Sequence, residues 1–178
     1  GSYLGAIVGW RGAFFVLVPI AMVTLVWQWI SLPPMQGKRP SASSGNVFSV
    51  LKSRAVVFGM AGCGAFFMGQ FMLFTYLRPF LERVTLVSVP TLSLLLMGIG
   101  VMGVVGTIAI GPLLKRSLFA PLISIPVLMS VMALALIPLG ANLGYVTILL
   151  GLWGFFATAA PVGWWSWVAR TMPDNAEA

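Results

Sequence analysis

Histidine is absent from this sequence, cysteine occurs once, and Asp and Glu together number three. These gaps exclude most enzyme chemistry. A Ser-His-Asp triad, a Cys-His pair and a His-based metal site all need residues that are missing. Cys63 alone cannot form an intrachain disulfide. No Gly-rich phosphate loop ending in Lys-Ser or Lys-Thr occurs either. Charge of both signs is scarce: 7% of residues are charged, where a soluble domain carries about 25%. So few charges cannot cover a water-facing shell. No catalytic residue, metal or cofactor is expected, and the chain is not read as an enzyme.

What fills the sequence instead is apolar. Hydrophobic residues make up 60% of the 178. A membrane-spanning helix needs about 20 predominantly apolar residues. Five such runs are present, at residues 12–32, 55–77, 89–114, 118–139 and 144–169, after a stub at 1–9. Barrel strands would alternate polar and apolar residues over about ten positions, and these runs do not. An all-α membrane protein is therefore expected. The chain opens inside what reads as the end of a helix and stops in a polar segment, so an internal fragment of a longer protein is expected.

Three segments follow from this pattern: 1–32, the linker 33–54, and 55–178. The linker holds Pro33, Pro34, Pro40 and a Ser/Gly cluster, a flexible composition. Residues 46–54 could form a short interfacial helix capped by Asn46, or continue as loop into the next span.

The net charge of +7 is distributed between the apolar runs, which is a topology signal and not a nucleic-acid footprint. If the helices alternate, Lys38, Arg39, Lys52, Arg54, Lys115, Arg116 and Arg170 share one side. Only Arg11, Arg78 and Arg83 take the other. The rule that basic loops stay inside then places the linker in the cytoplasm.

Small residues suggest close packing. Gly1, Gly5 and Gly9 recur every four positions, and the third span carries Gly98, Gly100, Gly103, Gly106 and Gly111. They serve either plain packing or a sliding surface.

Polar groups within lipid are costly and need a reason. Gln70 lies near the middle of the second span, with Phe66, Phe74 and Arg78 at helical spacing and Thr75 and Tyr76 further on. An amide among aromatic rings suits a polar ring-shaped ligand; an interhelical hydrogen bond is the alternative. Near the end of the fifth span come Thr158, Pro161, Gly163, Trp164, Trp165, Ser166, Trp167 and Arg170. Pro161 leaves one backbone carbonyl unpaired. Trp164 and Trp167 can stack on a ligand or join the interfacial aromatic belt, to which Trp165, Trp27 and Trp29 are assigned. Arg78 and Glu82, four apart, are expected to pair at the outer surface, where they could also gate. No Asp or Glu lies inside a span, so any proton-relaying group sits at the rim, at Glu82, or outside this chain.

Some of these residues resemble a known family. Leu4-Gly5 and Gly9-Trp10-Arg11 resemble the end of helix five and the following turn of major facilitator superfamily exporters. The run Gly111-Pro112-Leu113-Leu114-Lys115-Arg116 resembles that superfamily's cytoplasmic loop motif between helices eight and nine, without the motif's acidic residue. The segments Gly69-Gln70-Phe71, Phe74-Thr75-Tyr76 and Arg78-Pro79 are similar to helix seven of bacterial purine ribonucleoside efflux pumps. Pro161-Val162-Gly163-Trp164, Trp167 and Arg170 are similar to their helix ten.

The resemblance implies a fragment of a twelve-helix fold, from the end of helix five through helix ten. It implies a multi-pass protein of the bacterial inner membrane that exports small polar molecules, purine ribonucleosides among them, by proton antiport and alternating access. Gln70, Phe74, Tyr76, Trp164 and Trp167 are then the expected substrate contacts. The expected partners are a small-molecule substrate, protons and the lipid bilayer, with no nucleic acid. Sugar or multidrug exporters of the same superfamily share this layout. A membrane enzyme or channel is the reading from another class, but no pore motif or charged ring supports it.

Overall fold

A computed structural model describes residues 9, 11, 12, 14–32 and 53–171. The interfacial helix considered for 46–54 lies outside them up to Ser53, as do nearly all of the stub and linker. The chain divides into two compact units, Gly1–Ser44 and Gly45–Ala178. In the first, α1 spans Leu17–Ser31 and buries none of its residues. Its 15 residues lie within the apolar run expected at 12–32.

The second unit consists of α2 (Arg54–Arg83), α3 (Val89–Arg116), α4 (Phe119–Leu139) and α5 (Leu143–Thr171). All four are long and apolar enough to cross a membrane. Their starts match the apolar runs closely, but α2 runs six residues past the expected end at Leu77. The reason is length. A 30-residue helix is about 45 Å long, against a hydrocarbon core of about 30 Å. Helix therefore continues into the headgroup layer, where Arg78, Glu82 and Arg83 are tolerated and a hydropathy window is not. Pro79 is accommodated in that last stretch.

Short, specific turns join the helices. Ser88 caps α3, its hydroxyl accepting from the Thr91 N–H at 3.5 Å, with Pro90 in the first turn. Ser117 accepts from the Ala120 N–H at 3.3 Å at the start of α4. Asn142 Oδ1 accepts from the N–H groups of Gly144 and Tyr145 at 2.9 and 3.3 Å, which starts α5. The α2–α3 turn and the α4–α5 turn lie at one end of the unit, joined where the Thr85 hydroxyl donates to Gly140 O at 2.8 Å. Arg54, Lys115, Arg116 and Arg170 gather at the opposite end, where Arg170 donates to Leu114 O at 3.4 Å.

Helix α5 is the hub, packing on α3 and α4. Its crossing with α3 is backbone against backbone. A Cβ on Gly106 would collide with the Phe155 carbonyl, and one on Gly154 with the backbone of Ile99. The Thr158 hydroxyl donates across this crossing to Gly103 O at 2.6 Å. The expectation that α3's glycines touch a neighbour thus holds for Gly103 and Gly106. Gly98, Gly100 and Gly111 face open space. Two apolar clusters complete the core. One surrounds Ile110, Met129, Trp153 and Ala157; the other surrounds Leu81, Leu92, Val146 and Leu150.

Candidate functional site

The centre of the unit is set by a proline. Pro161 lies inside α5 and has no N–H, so the carbonyl four residues earlier, on Ala157, receives no helical hydrogen bond. Ala157 is buried and is the middle residue of the 29 in α5. In hydrocarbon an orphaned carbonyl costs several kcal/mol unless something else reaches it. Gln70 does. Its Nε2 donates to Ala157 O across the α2–α5 gap at 3.4 Å. That distance is beyond the usual 2.7–3.2 Å range, so the bond is weak.

The orientation of the amide follows from chemistry. A backbone carbonyl only accepts, so the NH2 side must face it. The Gln70 Oε1 is then turned away, buried and without a partner. The interhelical hydrogen bond considered from sequence is present, but it uses one half of the amide.

A second orphan sits close by. Trp153, one turn before Ala157 on α5, is 4% exposed, and its Nε1–H has no acceptor. Trp153 contributes to the lining of an open groove of about 380 Å³ between α2 and α4. Gly69, Leu73, Tyr76 and Leu77 line one side of that groove, and Leu136 and Ile137 the other. A ligand pocket is typically 300–1,000 Å³, mostly apolar, with few polar groups. Sequence reasoning did not single out Trp153. The available signal was its position: a tryptophan far from either helix end does not fit the interfacial belt.

The other expected contacts are placed differently from one another. Tyr76 borders the groove and is 67% exposed. Phe74 is exposed on α2 and does not line the groove. Trp164 and Trp167 pack edge to face, with ring centroids 6.0 Å apart. Both rest on glycines of α2. Trp167 fills the space where a Gly59 side chain would stand, and Trp164 lies 3.4 Å from the Cβ position of Gly62. Trp167 is buried, whereas Trp165 is exposed, as a belt residue would be. Trp164 follows Ala157 by seven residues, about 10 Å along the helix. It therefore lies well away from the Gln70–Ala157 contact along α5. Arg78 and Glu82 form the expected ion pair, Nε to Oε1 at 2.7 Å, exposed at the far end of α2. Cys63 is half-buried and free. Among the described residues no His/Cys/Asp/Glu group could hold a metal ion.

A bundle of four helices long and apolar enough to cross a membrane, with one weakly tethered amide at its centre, defines a multi-pass membrane protein. The chain belongs to the Major Facilitator Superfamily, whose family model matches residues 1–178. It is 51% identical to the Transcription regulatory protein OpdE of Pseudomonas aeruginosa, over 100% of this chain and 45% of that protein. It is 36% identical to the Purine ribonucleoside efflux pump NepI of Salmonella paratyphi B, over 99% of this chain and 44% of the pump. The same identity and coverage hold for NepI of Salmonella typhimurium. The chain thus spans under half the length of these relatives. No solved structure matches it.

Proposed function

We propose that the whole protein is a secondary active transporter that exports small polar ring molecules, purine ribonucleosides first among them. It works by alternating access of two helical halves across the bacterial inner membrane. Protons are the coupling ion, and their carboxylate lies at the rim or outside this chain. The observation that carries the reading is Gln70: a mid-helix amide, oriented by the Ala157 carbonyl, with a buried Oε1 unspent. A polar group inside a span is costly, which favours a functional reason for its presence. The printed name of the 36% relatives supports the substrate class.

In this reading Gln70 holds the ring edge and Tyr76 borders it, with Phe74 beside them on α2. Trp164 and Trp167 line the path toward the basic end, and the Arg78–Glu82 pair gates the other. Residues 1–32 end the first half of the protein, 33–54 form a cytoplasmic linker, and 55–178 begin the second half.

Gln70→Leu in the full-length protein tests it. Leucine is well tolerated in lipid, so membrane expression should stay near normal. Losing the amide should weaken apparent affinity about five- to a hundred-fold, the effect of about 1–3 kcal/mol. Normal affinity with a reduced folding yield would leave Gln70 a packing residue only. Running nucleosides, sugars and drugs in the same assay separates the purine reading from a sugar or multidrug exporter.

The name of the 51% relative raises direct transcriptional regulation as a second reading. The described helices do not favour it: α2 to α5 are apolar enough to cross a membrane and offer no basic face for DNA.

A further inference from the structure

Like charges crowd at one end of the second unit. Lys115 and Arg116 end α3, and Arg170 lies in the last turn of α5. The contact from Arg170 Nη2 to Leu114 O, at 3.4 Å, holds the guanidinium beside the residue that precedes Lys115. Arg54 starts α2 at the same end. Helices α2 and α5 run antiparallel there, since Gly59 meets Trp167 and Gly62 meets Trp164. Arg54, five residues before Gly59, therefore stands near the level of Arg170, three residues after Trp167. All four cations are exposed. Glu82, the one acid among the described residues, is paired with Arg78 at the opposite end; Asp174 and Glu177 lie outside those residues. Gathered cations repel one another unless an anion joins them. The negative ends of α3 and α5 offset part of that cost for Lys115, Arg116 and Arg170, but Arg54 sits at the positive end of α2.

Depth in the membrane names the anion. Helices α3 and α5 have 28 and 29 residues, or about 42–44 Å, against a hydrocarbon core of about 30 Å. Their basic ends reach the headgroup layer, where lipid phosphodiesters are the abundant anions. We propose that this end of the unit is a binding site for an anionic phospholipid. Its phosphodiester is held between Arg170 of α5 and Lys115 and Arg116 of α3, with Arg54 of α2 beside them. Arg170 is oriented by the N–H it gives to Leu114 O, which leaves the other donors of its planar fork for phosphate oxygens. Leu113 and Phe119, exposed on either side of the α3–α4 turn, offer an apolar wall for the acyl chains. A zwitterionic lipid brings the same phosphodiester but adds a cation that this cluster repels, so the site favours net negative charge. Because the cations come from three helices, one bound headgroup ties three helix ends together.

Native mass spectrometry of the full-length protein in a neutral detergent tests this. It measures apparent affinity for dioleoylphosphatidylglycerol and for dioleoylphosphatidylcholine, which share their acyl chains. Wild type should prefer the anionic lipid. Arg170→Gln, and Lys115→Gln with Arg116→Gln, should lower that preference by about five-fold for each cation removed. Arg83→Gln removes the same charge at the opposite end and should leave the preference unchanged. Lys115 and Arg116 are exposed, so their replacement keeps the test open even if Arg170→Gln folds poorly. Equal affinity of wild type for the two lipids would overturn the assignment, as would an equal loss in Arg83→Gln and the cluster variants. Displacement of the anionic lipid by inorganic phosphate at matched concentration would give the cluster to a soluble anion and overturn the lipid assignment too.

Discussion

At the level of single residues, the informative pair is Gln70 and Pro161. Each is unfavourable alone: an amide in hydrocarbon, and a proline inside a helix. Together each answers part of the other's cost, since the amide reaches the carbonyl that the proline leaves open. Pro161→Ala restores the missing N–H and lets Ala157 O bond within α5. Replacing an interior proline is worth up to about 3 kcal/mol in helix propensity. The gain should depend on residue 70. Thermal unfolding in detergent of Pro161→Ala, Gln70→Leu and the double variant should show a coupling of at least about 0.5 kcal/mol. Strict additivity would mean that the 3.4 Å contact contributes nothing.

Both halves of this pair were legible in sequence, because proline and a lone amide are conspicuous in apolar runs. That they meet was not, since relative rotation and stagger of two helices are set by packing. Trp153 was missed for a related reason. Seven tryptophans in a membrane protein invite the belt explanation, and only position along the span separates the one at mid-helix from those near the ends.

Among the helices, the α3–α5 crossing governs how the unit assembles. Five glycines on α3 look equivalent in sequence, but the structure divides them. Gly106 abuts the Phe155 backbone, while Gly100 has nothing within 4 Å. Gly106→Val must push the helices apart or distort them, at a cost of about 1–3 kcal/mol or more. Gly100→Val should be nearly neutral. Monodisperse yield and thermal midpoint of the two variants, measured side by side, check this. A similar loss in both would show that α3 glycines act through helix flexibility and not through this contact. Helix existence was plain from hydropathy, and helix starts were accurate. The end of α2 was underestimated because hydropathy marks the hydrocarbon slab, whereas backbone hydrogen bonding continues beyond it.

For the molecule as a whole, charge asymmetry predicts orientation. Arg54, Lys115, Arg116 and Arg170 lie at one end of the second unit, joined by Lys38, Arg39 and Lys52 in sequence. Retention of basic segments in the cytoplasm predicts an internal location for 33–54. In a Cys63→Ser background of the full-length protein, Ser43→Cys should be shielded from impermeant thiol reagents in intact cells and label after lysis. Ready labelling from outside would invert the topology. The second unit also fits the notion of half a machine. Its hub, α5, is well packed, while α2 exposes Phe58, Met68, Phe71 and Met72. Residues 1–178 alone should therefore give no substrate-specific efflux from vesicles, because alternating access needs two halves moving against each other. Substrate-specific efflux from such vesicles would overturn that expectation.

The half-used amide has one more consequence. An amide is a single conjugated unit, so its oxygen and nitrogen do not act independently. A donor arriving at Gln70 Oε1 draws electron density toward the oxygen and makes the Nε2 hydrogens more acidic. Chains of hydrogen bonds strengthen one another in this way, by about 10–30% per bond. If the proposed substrate donates to Oε1, the 3.4 Å link to Ala157 would shorten, drawing α2 toward the midpoint of α5. Reciprocity runs the other way too: a state of the protein that brings the two helices together holds its cargo more tightly. In the proposed reading, a side chain of five heavy atoms would convert occupancy into helix spacing without carrying any charge.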